Sequence, residues 1–99
     1  MRQGTTPTHI FDLPFDTGDV ERLEITYEQN DKVVLQKQKN DCTLEGNEVS
    51  VKLTQEETFL FEAGTNIIAQ IHAVSVYGDA VNSDEVYIRC LESRSGEVL

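Results

Sequence analysis

Apolar and polar residues alternate at period two through most of this chain. Leu23, Ile25 and Tyr27 alternate with Glu24, Thr26 and Glu28, and Val49, Val51 and Leu53 alternate with Ser50 and Lys52. Successive side chains of an extended strand point to opposite faces, so this period predicts strands with one buried and one wet face. Thr8 to Leu13 reads as the first strand, with Ile10 on one face and His9, Phe11 and Leu13 on the other. Pro14 ends it, because proline cannot donate to a ladder. Asp16-Thr17-Gly18-Asp19 reads as a turn in which Asp16 or Thr17 caps a short helical segment.

Three hairpins follow. In the first, Arg22–Glu28 faces Lys32–Lys39. A three-residue loop with Asp31 left-handed pairs Ile25 with Leu35, Tyr27 with Val33 and Glu28 with Lys32, which keeps the apolar side chains on one face. A two-residue Asn30-Asp31 turn would set Thr26 against Leu35, so the longer loop is expected. The second hairpin turns at Gly46-Asn47 and sets Leu44 opposite Val49, Cys42 opposite Val51 and Asp41 opposite Lys52. Thr54-Gln55-Glu56-Glu57 has the form of a capping box and predicts a helical turn to about residue 59. Phe59, Leu60 and Phe61 are expected to plug one end of the core. The last hairpin turns at Gly78-Asp79 and pairs Ile71 with Val86, Ala69 with Ile88, Ile67 with Cys90 and Val76 with Val81, with a bulge near Ser83-Asp84.

About seven such strands, with turns every 8–12 residues or so, predict an all-β fold: an immunoglobulin-like antiparallel β-sandwich with one short helical turn near residues 55–59. The sandwich occupies residues 8–91, residues 1–7 read as a flexible arm and residues 92–99 as a C-terminal tail. The Cys…Trp…Cys marker of antibody domains is missing, since the chain has no Trp.

Charge narrows the range of partners. The chain has 18 acidic and 8 basic side chains, a net charge of −10. Phosphate backbones and anionic membrane surfaces both require clustered Lys and Arg, so neither nucleic acid nor membrane is an expected partner. The start of the chain is polar and lacks the apolar run of a signal peptide, which predicts synthesis in the cytoplasm. Cys42 and Cys90 then read as two free thiols.

Catalytic chemistry has little to work with. His9 and His72 are the available neutral-pH bases, and neither lies in a pattern that activates a nucleophile. Asp16, Asp19 and Glu21 are the best candidate for calcium, but a plain capped turn explains them better. Glu56 and Glu57 belong to the helix start, and Asp84 and Glu85 would face opposite sides of a strand. No catalytic, metal or cofactor residue is assigned, and an enzyme is not expected. Surfaces remain. Lys32, Lys37 and Lys39 share one strand, as guards of a sheet edge or as a positive stripe for self-association. Tyr77 and Tyr87 are the aromatic residues expected to be exposed, and would serve a small-ligand or carbohydrate module.

The segments Gln3-Gly4-Thr5-Thr6-Pro7-Thr8-His9-Ile10-Phe11, Ile25-Thr26-Tyr27-Glu28-Gln29-Asn30-Asp31-Lys32-Val33-Val34-Leu35 and Leu53-Thr54-Gln55-Glu56-Glu57-Thr58 together resemble small prophage-encoded proteins of gut bacteria. The start of the chain is also similar to the N-terminal sandwich modules of phage baseplate and tail-fibre proteins. The resemblance implies a virion-associated or assembly role, with other phage structural proteins or a second copy of the chain as partners. It carries no functional residues with it. Under this reading the two polar termini would order on a partner, adding a strand to it by β-augmentation.

Overall fold

The computed structural model describes residues 1–83 and 85–99. Eight strands form among them: β1 (Thr8–Asp12), β2 (Val20–Gln29), β3 (Lys32–Gln38), β4 (Cys42–Glu45), β5 (Glu48–Lys52), β6 (Asn66–Ser75), β7 (Ala80–Asn82) and β8 (Val86–Arg89). A single helical turn, α1 (Gln55–Thr58), separates β5 from β6. One sheet has the order β1-β5-β4; the other has the order β3-β2-β6, with β7 and β8 both on the far side of β6. All the pairings between strands are antiparallel.

The all-β sandwich expected from period two is therefore present. In the lettering of immunoglobulin sandwiches, β1, β4 and β5 take the places of B, D and E, and β2, β3 and β6 those of C, C′ and F. Strand G is split into β7 and β8, which raises the count from about seven to eight. The core lies between the sheets: Leu23, Ile25 and Tyr27 of β2 and Ile67, Ala69, Ile71 and Ala73 of β6 pack against Phe11, Val49 and Val51 from the smaller sheet. Leu53 and Phe61 close the same core. Of the three residues expected as a plug, only Phe61 is buried; Leu60 is exposed.

Two registers differ from expectation, each through the length of its turn. The first hairpin turns on Asn30 and Asp31 alone, both with positive φ (54° and 62°). That is the geometry of a type I′ turn, whose twist matches the flanking strands. Gln29 pairs with Lys32 and Glu28 with Val33, and a bulge then shifts the ladder so that Tyr27 pairs with Leu35 and Ile25 with Lys37. The extra residue restores the apolar face that the three-residue loop was expected to supply. The last hairpin, expected to turn on Gly78-Asp79 alone, instead closes around three residues, Val76-Tyr77-Gly78, with the amide of Ser75 donating to the carbonyl of Asp79 at 2.8 Å. Val74 pairs with Ala80 and Ala73 with Val81, whereas Val76 is exposed. Farther down, Ala69 pairs with Val86 and Ile67 with Ile88, each displaced from the expected partner. The register changes by one between β7 and β8; of the bulge expected at Ser83-Asp84, Asp84 lies outside the described residues.

The second hairpin agrees with the sequence reading. Leu44 pairs with Val49 and Cys42 with Val51. Asp41 is not part of that ladder: it ends a 3-10 turn (Lys39–Asp41), where its carboxylate accepts from the Gln38 amide at 2.9 Å. The capping box is formed in both directions, the Glu57 amide donating to Thr54 Oγ1 and the Thr54 amide to Glu57 Oε1.

Both termini lie along the body. Residue 2 forms a parallel bridge with Leu91, and the Gln3 amide donates to the Leu91 carbonyl at 2.9 Å. The Gln3 side chain donates to the Phe61 carbonyl at 2.6 Å, and the Gly4 amide to Thr58 Oγ1 at 2.9 Å. At the other terminus, the Leu99 amide donates to Gln55 Oε1 at 2.6 Å.

Candidate interaction surface

The loops β1–β2, β4–β5 and β6–β7 meet at one end of the sandwich. They are bonded to one another, not merely adjacent. The Leu13 amide donates to the Asn47 carbonyl at 2.8 Å, and Asn47 Nδ2 returns a bond to the Leu13 carbonyl at 3.2 Å. Thr17 donates through both its amide and its hydroxyl to the Gly46 carbonyl, each at 2.8 Å. The Val76 amide donates to the Asp19 carbonyl at 2.7 Å. Asp16 caps the 3-10 turn Thr17–Asp19 by accepting from the Gly18 amide, and Thr17 is buried.

The β6–β7 loop is shaped by Ser75. This buried hydroxyl accepts from the amides of Tyr77 and Asp79 at 3.2 and 3.1 Å. Gly78 supplies the positive φ (87°) that the loop requires. The result is a rigid tip that points side chains outward: Tyr77 is 77% exposed and Val76 57%. Sequence reasoning named Tyr77 but missed Ser75, Thr17 and Val76, because their roles depend on contacts between separate loops. A serine four residues before the aspartate of a Gly-Asp turn was the one local signal.

The other surface residues named from sequence do not join this site. Tyr87 is exposed on β8, where its hydroxyl donates to Glu85 at 3.0 Å. Its partner on β6 is Ile68, seven residues from Ser75, or about 23 Å along a strand. The two tyrosines therefore form no common aromatic platform.

The three lysines form no stripe either. β3, which carries Lys32 and Lys37, is an edge of the five-stranded sheet, as edge protection requires, whereas Lys39 lies beyond it in the 3-10 turn. Lys32 is exposed on β3, at its hairpin end. Lys37 instead faces inward and pairs with Glu57 at 2.5 Å, the two side chains being only 14% and 19% exposed. Lys37 shares this face with Leu35, two residues before it, as period two requires. Lys39 Nζ donates to the Val20 carbonyl at 2.8 Å.

The candidate bases are also far apart in kind. His9 sits between the sheets with Nδ1 2.7 Å from Tyr27 Oη, and burial followed by the N-terminal ammonium lowers its pKa. Burial pushes the Tyr27 hydroxyl well above its ordinary value. His72 is exposed on the outer face of the larger sheet, opposite Glu24. There it joins Glu24, Gln38, Asn40 and Val74 in lining an open depression of 550 Å³. Cys42 and Cys90 are both free thiols, and burial raises the pKa of each. Among the described residues no group of three or more His, Cys, Asp or Glu is placed to hold a metal ion, and no helix is long and apolar enough to cross a membrane.

Compared with protein-family models, curated proteins and solved structures, the chain matches none.

Proposed function

We propose that this protein is a non-enzymatic interaction module, a structural or accessory component of a phage particle that works by binding other proteins. The observation that carries this reading is the exposed Tyr77–Val76 tip on three loops already locked together. An exposed aromatic on a pre-organised loop binds at low entropic cost, because little ordering remains to be done. The phage setting rests on the sequence resemblance, and places the protein in the tail or baseplate region of a virion. The termini are not the binding elements in this reading, since their backbone and side chains are already engaged with the body.

Size-exclusion chromatography with light scattering, on the chain alone and mixed with the virion proteins encoded beside it, tests this reading. A complex of defined stoichiometry is the expected result. A chain that stays monomeric and binds none of them rejects it.

A second reading, a small-ligand or carbohydrate module, is favoured by the depression beside His72 and Glu24. Its lining offers carboxylate, amide and imidazole groups suited to hydroxyls, but no aromatic platform. A glycan array decides it, with Tyr77→Ala as the aromatic control and His72→Ala for the depression; an empty array removes it.

A further inference from the structure

The interaction reading leaves open which surface binds and what kind of partner it fits. We infer that the loop end is the docking surface, and that its partner is a protein segment that combines apolar side chains with Lys and Arg. This inference rests on the interaction-module reading and gives it a location and a chemistry.

Two independent observations converge. The first is the apolar tip. Tyr77 and Val76 are adjacent, more than half exposed, and held by backbone bonds to Ser75 and Asp19. Neighbouring exposed apolar side chains on a rigid support are what an anchor in a protein interface needs. The second is the distribution of charge. The three loop segments 12–21, 45–48 and 76–79 contain Asp12, Asp16, Asp19, Glu21, Glu45, Glu48 and Asp79, and no Lys or Arg. Glu45 lies directly opposite Glu48 in the β4–β5 ladder, a like-charge pair that destabilises a hairpin. Asp19, whose backbone carbonyl holds the tip, is one of these acids.

Lys39 reaches the nearby Val20 carbonyl at 2.8 Å, but seven acids against that one ammonium leave the loop end negative, and this charge sets the sign of the partner. It raises the rate of encounter with a basic surface and rejects acidic ones, including a second copy of this chain at net −10.

Random 12-residue peptides displayed on yeast and selected against the whole folded chain test the inference. Selected peptides are expected to combine Lys or Arg with an aromatic or aliphatic residue. Their binding should weaken at least about tenfold with Tyr77→Ala and again with the pair Asp16→Lys and Asp79→Lys, and it should fall as salt rises from about 50 to 500 mM. Tyr87→Ala should leave it unchanged. These side chains are exposed, and thermal melts of each variant verify that the fold is retained. Failure to enrich any peptide, peptides without basic residues, or binding indifferent to Tyr77→Ala each overturn the inference. A complex with virion proteins that survives Tyr77→Ala rejects this surface while leaving the broader reading intact.

Discussion

Tyr27 Oη and His9 Nδ1 lie 2.7 Å apart across the space between the two sheets. Tyr27 is fully buried on β2 and His9 half-buried on β1, so this one bond joins the layers at a position where each ring also meets the other at a centroid distance of 5.6 Å. A buried hydroxyl with such a partner is stabilising chiefly because losing the partner is costly.

Tyr27→Phe should therefore destabilise the fold by about 1–2 kcal/mol, read from urea unfolding. The packing volume is retained, so the loss reports the bond. His9→Phe combined with Tyr27→Phe should cost less than the two single changes added together. The pH dependence follows from the lowered His9 pKa. Below about pH 6.5 the unfolded chain takes up a proton that the folded chain resists. Stability from this group is full above that pH, declines as pH falls toward the folded-state pKa, and then levels off. A series from about pH 7.5 to 5.5 stays clear of the carboxylates. His9→Gln should flatten the slope across it.

Lys37 and Glu57 should behave as a tether between β3 and the helical turn. Burial alone would raise the Glu57 pKa, but Lys37 and the Thr54 cap outweigh it and lower the value below 4.5. The stability this group contributes is present above that pH and is lost as pH falls through the lower folded-state value. Lys37→Met should cost about 1–2 kcal/mol, between the values for exposed and buried ion pairs, because it leaves the carboxylate unpaired. Lys37→Met with Glu57→Gln should recover part of that loss. Chemical denaturation near neutral pH, and again at acid pH, measures both effects.

Asp31 occupies the second central position of the Asn30-Asp31 turn at φ 62°. A side chain there is strained, and Asn-Gly is the favoured pair for a type I′ turn. Asp31→Gly should stabilise the protein by about 0.5–1 kcal/mol, seen as a rise in the thermal midpoint. A fall would mean that the turn has another geometry.

Gly4 pins the N-terminal segment. Its φ is 80°, and a Cβ added there would lie 3.1 Å from the Phe59 ring. Gly4→Ala should cost about 1–2 kcal/mol and loosen residues 1–4 from Leu91 and Phe61. Hydrogen exchange at the Gln3 and Leu91 amides should accelerate in the variant before exchange in β6 does.

Local chemistry determined a large share of this fold from sequence. The period-two runs in β2 and β5, the Gly46-Asn47 hairpin with its Leu44–Val49 and Cys42–Val51 pairs, and the Thr54–Glu57 box each depend on residues within a few positions of one another. Such signals are carried by the backbone itself, through alternation, φ preference and capping, and need no distant partner. The wrong registers had a local cause as well: period two cannot distinguish a longer loop from a short turn followed by a bulge, because both return apolar side chains to the same face.

What the sequence could not determine is everything that joins separate segments. Lys37 lies across from Ile25 and pairs with Glu57 of the distant helical turn, where a row of lysines on one strand had suggested an exposed stripe. Residues 1–7 had read as an arm because they are polar, yet their polar groups are satisfied by Leu91, Phe61 and Thr58. The loop end arises from bonds that join Leu13 to Asn47, Thr17 to Gly46 and Asp19 to Val76, the first pair already 34 positions apart. Only closure of the two sheets brings these groups within hydrogen-bonding distance, so tertiary structure alone decided which exposed side chains stand on a rigid support.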